Sequence, residues 1–96
     1  MQTYKIIITE TAEYEIDDCL DFIAKDSVQN AINWYDHLYE KIQTLETMPE
    51  RCPIADENPY FEFEIHCLLI NGYRVLYRID MDTVVVIHVK SPNMNR

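Results

Sequence analysis

The chain has 96 residues, 48% of them hydrophobic, and its eight lysines and arginines face 17 aspartates and glutamates, for a formal charge of −9. That length predicts one domain over residues 1–96, and an apolar content that includes seven tyrosines excludes a disordered chain. The charge argues against a general nucleic-acid binder, whose surface must neutralise phosphates, while leaving room for a local basic cluster.

No apolar run reaches the roughly 18 residues needed to cross a bilayer. The opening MQTYKIIITETAEYE lacks the basic and apolar zones of a signal peptide, so the expectation is a cytoplasmic protein with no membrane partner. Cys19, Cys52 and Cys67 are odd in number, scattered and without a C-x-x-C pair, which predicts reduced thiols packed as small hydrophobes. No metal or cofactor site is expected.

Taken in chain order, TYKIIIT at residues 3–9 is short and β-branched, the pattern of a strand. From about Glu10 to Lys25 the apolar residues Ala12, Ile16, Leu20 and Ile23 mark one helix face. Thr9 or Thr11 is available as N-cap, and Glu10, Glu13 and Glu15 crowd the first turns, where the helix dipole favours them. Asp26 and Ser27 offer caps for a second helix, with Gln29 in capping-box spacing from Asp26, and Ala31, Tyr35, Leu38, Ile42 and Leu45 form its seam. A connection this short predicts an antiparallel helical hairpin, ended at Met48-Pro49 because proline disfavours helical geometry in the residue before it. PERCPIADENPY, residues 49–60, reads as an irregular connection.

FEFEIHCLLI, YRVLYRI and VVVIHV follow, separated by Asn71-Gly72 and by DMDT. Asn-Gly between β-rich runs signals a type I′ hairpin, and the second turn completes a three-stranded antiparallel meander. Two-residue loops at 71–72 and 81–82 pair Leu69 with Arg74, Cys67 with Leu76 and Ile65 with Arg78, then Arg74 with Val89, Leu76 with Ile87 and Arg78 with Val85. The helical hairpin covers one face of this sheet, the one with Tyr73, Val75 and Tyr77. The other face shows Ile65, Cys67, Leu69, Leu76, Val85, Ile87 and Val89 around Arg74 and Arg78, a patch of a kind rarely left bare on a monomer. The two arginines mark either a binding face or a structural pairing, by a salt bridge to a carboxylate such as Glu62 or by stacking on an aromatic ring.

The order strand, helical hairpin closing in Leu45-x-x-Met48-Pro49, irregular loop, then YRVLYRID, a short turn and VVVIHV resembles the RelE/ParE superfamily of toxins, over roughly residues 4–90. The resemblance implies an α+β fold: an N-terminal strand, then an antiparallel helical hairpin packed on an antiparallel sheet that ends in the three-strand meander. It implies a toxin of a type II toxin–antitoxin pair, a plasmid stabilisation protein, covered by a cognate antitoxin. The target is the ribosome, where messenger RNA is cut, or in the ParE branch DNA gyrase. Arg74 matches the phosphate-stabilising arginine of the RNases. The strand positions that often carry lysines in those enzymes fall on Ile65 and Cys67, and the terminal segment reads Lys90 to Arg96 where a His or Arg usually follows the last strand. Most of the RNase constellation is missing, which favours a ParE-like or degenerate toxin. The alternatives are a RelE-type RNase using Arg74 with Lys90 or Arg96, and a non-toxic module that forms a homodimer through its apolar face.

Other constellations point to packing. Glu64, His66 and His88 suggest acid–base work, but on a face predicted to be core. His37, Cys52, His66 and Cys67 lack metal-ligand spacing, and Trp34, Tyr35 and Tyr39 suit helix packing better than base stacking.

Overall fold

Local sequence explains where the elements begin and end. In the computed structural model, which describes residues 2–92, β1 (Lys5–Ile8) leads into Thr9, an extended residue whose side-chain oxygen accepts a hydrogen bond from the Ala12 N–H at 3.2 Å. That cap starts α1 (Glu10–Ala24), which buries Ala12, Ile16 and Cys19. Ser27 caps α2 (Val28–Gln43) in the same way, its Oγ accepting from Asn30 N–H at 3.1 Å. The capping box expected from Asp26 and Gln29 does not form: Gln29 donates instead to Asn33 Oδ1, one turn further on.

The second helix stops earlier than predicted, at Gln43, and passes through a 3₁₀ turn at Thr44–Glu46 that still buries Leu45. Met48 is left-handed (φ 50°), in keeping with the exclusion of helical geometry before Pro49. Arg51 folds back and donates to the carbonyls of Thr44, Thr47 and Met48, so the cap and the turns that follow the helix are held by a side chain.

The sheet comprises β1, β2 (His66–Ile70), β3 (Tyr73–Asp80) and β4 (Thr83–Lys90), in the order β1-β4-β3-β2. Asn71 and Gly72 have φ of 48° and 85°, the two positive values a type I′ turn requires, and Ile70 faces Tyr73 as predicted. The meander is antiparallel, and β1 joins it by pairing parallel to β4, with Ile6 against Val84 and Ile8 against Val86.

One irregularity changes the faces. Arg78 faces Val85 as predicted, but between Leu76 and Tyr77 the register shifts, so that Tyr77 opposes Val86 while Leu76 opposes His88. Ile87 is the additional residue, as in a β-bulge. Arg74 therefore faces Lys90 and not Val89, and Leu76 faces His88 and not Ile87. Because side-chain period is two, the extra residue sends Val89 to the helix side, where it is fully buried with Ile16, Leu38, Ile42, Val75, Tyr77, Val84 and Val86. Tyr77, also fully buried, donates its hydroxyl to the Pro49 carbonyl, which ties the centre of the sheet to the end of the helical hairpin.

Candidate functional site

The face away from the helices is not bare. Residues 52–64 fold over it, hooked to the outer edge of β2: Cys67 N–H donates to the Pro53 carbonyl at 2.9 Å, and Ala55 N–H to the Ile65 carbonyl at 2.8 Å, with Ile54 paired to His66. Asn58 Oδ1 accepts from Ile65 N–H at 2.8 Å. Under this roof lies a second, smaller core of Ala55, Ile65 and Leu76, flanked by Phe61, Cys67 and Ile87. Of the residues expected to form an open apolar patch, Ile65 and Leu76 are fully buried here and Val89 is fully buried on the opposite side. Cys67 and Ile87 are half-buried, and Leu69 stays 67% exposed. Backbone groups in a long connection must find partners, and here the free β2 edge supplies them.

The same roof explains the arginines. Arg74 meets Glu57 in a bidentate pair, Nη1 to Oε2 and Nη2 to Oε1, both at 2.6 Å, and Lys90, its cross-strand neighbour, reaches Glu57 Oε2 at 3.2 Å. One carboxylate thus holds two cations. Its hydrogen bonds to Arg74 bring the Glu57 carboxyl down to about 2, against the opposing effect of burial. Arg78 lies over the Phe63 ring, 4.7 Å from its centroid, with Nη1 3.6 Å from Asp80 Oδ2. Both arginines are therefore paired within the chain, Arg74 with Glu57 and not with Glu62. Sequence reasoning missed Glu57, whose only signal was its place in a segment that has to cross two arginines.

Chemistry at Arg74 is constrained by this pairing. Both terminal nitrogens are occupied, and its strand neighbours on β2 are Leu69 and Cys67 rather than an acid or base. His66 is buried, its ring 5.5 Å from that of Tyr77 and nearly parallel to it. Its Nδ1 is 2.8 Å from the Cys52 carbonyl, which can only accept and so fixes the proton there. Glu64 stands 3.5 Å from His66 Nε2, whereas His88 is on a separate partner, Glu15, at 3.2 Å. Glu15 also accepts from Val89 N–H at 3.0 Å, closing the edge of β4 where β1 has run out. The three residues do not form one catalytic group. Arg96, the other candidate cation, lies outside the described residues.

Among the described residues no three His, Cys, Asp or Glu side chains converge as a metal site, and no helix is long and apolar enough to cross a membrane. Trp34 packs against Tyr73 with ring centroids 5.1 Å apart and planes tilted by 53°, and Tyr35 against Tyr39 at 4.6 Å and 40°, the packing roles the sequence suggested.

The profile of the family described as "ParE toxin of type II toxin-antitoxin system, parDE" matches residues 6–96. The chain belongs to this ParE toxin family. Solved structures agree with that placement in the wider RelE/ParE superfamily. A chain of the chromosomal ParDE toxin–antitoxin system from P. aeruginosa is 12% identical, with a TM-score of 0.77 over 93% of this chain and 96% of that one, a likeness of fold. A chain of the RelBE2 toxin–antitoxin complex from Mycobacterium tuberculosis is 25% identical, with a TM-score of 0.58 over 95% of this chain and 93% of that one. No curated protein matches the sequence. As a ParE-family member the chain shares with both structures two helices packed on a four-stranded mixed sheet, the α+β architecture read from the sequence.

Proposed function

We propose that this protein is the toxin of a type II pair, that it acts in the cytoplasm by binding a protein target of the DNA gyrase type and not by cutting RNA, and that a cognate antitoxin silences it. The observation that carries the reading is the pairing of Arg74 and Lys90 with Glu57. Stabilising a phosphorane needs a cation free to meet the developing charge, together with a base and an acid in reach. Arg74, the residue that would do this in an RNase, already has its charge matched, with one N–H of each terminal nitrogen given to Glu57. Binding a protein target makes no such demand. Leu69 and Arg78, which keep accessible surface on the sheet face, are the residues proposed to meet a partner there, while Ile65 and Leu76 support that face from within and Val89 belongs to the opposite side. The roof over the apolar face also favours a foreign partner over a homodimer built on that face.

The test is induced expression in bacteria of the wild-type chain beside Arg74→Ala, with DNA supercoiling and translation followed separately. Growth arrest with loss of supercoiling is the expected result. Arrest with cleaved messenger RNA, abolished in Arg74→Ala, would establish the ribosome-dependent RNase instead, and unimpaired growth at confirmed expression would establish a non-toxic binding module.

A further inference from the structure

The outer edge of β2 is closed over only part of its length. In a hairpin with a two-residue turn, the residues flanking the turn exchange hydrogen bonds, and the pairs alternate from there. Ile70, Leu68 and His66 therefore bond to β3, while the N–H and C=O groups of Cys67 and Leu69 point away from the sheet. The chain's own segment takes the first of these, with Cys67 N–H on the Pro53 carbonyl. The ladder stops there for a chemical reason: the return bond would run from residue 53 to the Cys67 carbonyl, and proline has no N–H to give. Among the described residues nothing outside the sheet bonds to that carbonyl or to either backbone group of Leu69, whose side chain is also 67% exposed.

Beside this open edge lies a groove of about 440 Å³. The α2 side contributes His37, Lys41 and, just beyond the helix, Arg51; β2 contributes Leu68 and Leu69. No carboxylate lines it, in a chain with 17 aspartates and glutamates. Lys41 and Arg51 are exposed, and among the described residues neither forms a salt bridge. The hydrogen bonds of Arg51 all go to backbone carbonyls and to Thr44 Oγ1, neutral acceptors that leave its charge unmatched. That sets it apart from Arg74, Arg78 and Lys90, each of which meets a carboxylate. On a protein of charge −9, the groove is a local site of the opposite sign.

We infer that the free edge of β2 and the basic groove beside it hold an extended acidic segment of the toxin's protein target, which pairs as a fifth strand with Cys67 and Leu69 while its carboxylates meet Lys41 and Arg51. The inference rests on the protein-target reading above and adds the chemistry of the segment that is bound. Backbone pairing supplies affinity whatever the side chains, and the cations select the sequence, because the acidic remainder of the surface repels such a segment. A second copy fits worse, since pairing two β2 edges about a two-fold axis sets the same basic groove against itself. Nucleic acid would use the cations and leave the strand edge unpaired.

The purified chain is to be titrated with a synthetic peptide of about seven residues, an ordinary strand length, alternating glutamate with threonine. Two twins accompany it, one with lysine for glutamate and one N-methylated on alternate residues so that it cannot donate to the edge. Binding of the unmodified acidic peptide alone is expected. Lys41→Glu should weaken it about tenfold at low salt and less at high salt. Leu69→Pro, which removes an outward N–H where an edge strand tolerates proline, should weaken it about tenfold at every salt concentration. Lys25→Glu, the same change of charge at the end of α1, should alter nothing. Far-ultraviolet circular dichroism checks the fold, and the N-methylated twin tests the backbone pairing without touching the protein. Full binding of that twin, equal weakening by Lys25→Glu, tighter binding of a single-stranded oligonucleotide, or a dimer of the chain that Leu69→Pro dissolves would each overturn the assignment. In the growth assay Lys41→Glu and Leu69→Pro should both relieve arrest. Undiminished arrest in both, with or without loss of neutralisation by the cognate antitoxin, overturns this edge as the seat of the target and leaves the toxin reading standing, whereas the toxin reading itself fails if the wild-type chain causes no arrest.

Discussion

The two faces of the sheet are covered by different means. The helix side is closed mainly by apolar side chains, Ile16, Leu38 and Ile42 against Val75, Val84, Val86 and Val89, with the Tyr77 hydroxyl and the Glu15 carboxylate on His88 and Val89 N–H as polar crossings. The roof side has a core of three buried residues, Ala55, Ile65 and Leu76, and is fastened by backbone hydrogen bonds at the β2 edge and by Glu57 on two cations. Apolar burial has no charge to titrate and no strong dependence on salt, whereas an ion pair has both. One sheet thus carries a face that is stable over a wide range of conditions and a face whose closure is set by electrostatics.

The largest blow to the comparison falls on the helix side. Leu38→Ala removes a fully buried side chain from its centre and should cost about 3–4 kcal/mol in urea-induced unfolding, with no dependence on pH. A loss under about 1 kcal/mol would show that this side is not the main core.

Glu57→Gln strikes the roof. Two cations lose their carboxylate, and the expected loss is about 2 kcal/mol, below the cost in a dry interior because the pair is partly reached by water. The pH dependence sharpens this. The Glu57 carboxyl titrates at about 2 in the folded chain and at an ordinary 4.5 when unfolded, so folding is favoured by the pair above about 4.5 and the gain drains away as pH falls toward 2. Stability measured between pH 5 and pH 2 should fall less steeply in Glu57→Gln than in wild type; parallel curves would remove Glu57 as the fastening.

Leu69→Ser should have the smallest effect. Its side chain is outside both cores, and unfolding should change by less than about 0.5 kcal/mol. A larger loss would mean that the roof side buries more than its two-sided packing shows.

Local chemistry was legible and tertiary pairing was not. Thr9, Ser27 and Asn71-Gly72 each act through neighbours a few residues away, so the helix starts and the β2–β3 register could be read directly. The bulge could not: VVVIHV is apolar at nearly every position, so a one-residue slip changes no visible alternation, and Val89 was assigned to the wrong face. β1 gave its strand character but no sign that β4 was its partner. The PERCPIADENPYFEFE stretch carries the composition of a solvated loop, and nothing local shows that Glu57 will meet Arg74 across 17 positions. Hence the arginines were recognised as anomalous while Glu57, which answers Arg74, was overlooked, and the site was expected on a face that the chain itself covers.

The parallel pairing of β1 with β4 has a consequence for the order of events during synthesis. Lys5 to Ile8 are made before the other strands and find their hydrogen-bonding partners only in Thr83 to Val86, almost 80 positions later. Until those residues appear, the first strand is an unsatisfied apolar ribbon, and so separated a contact closes slowly. An incomplete chain therefore cannot possess the finished sheet, which closes only once β4 has been made.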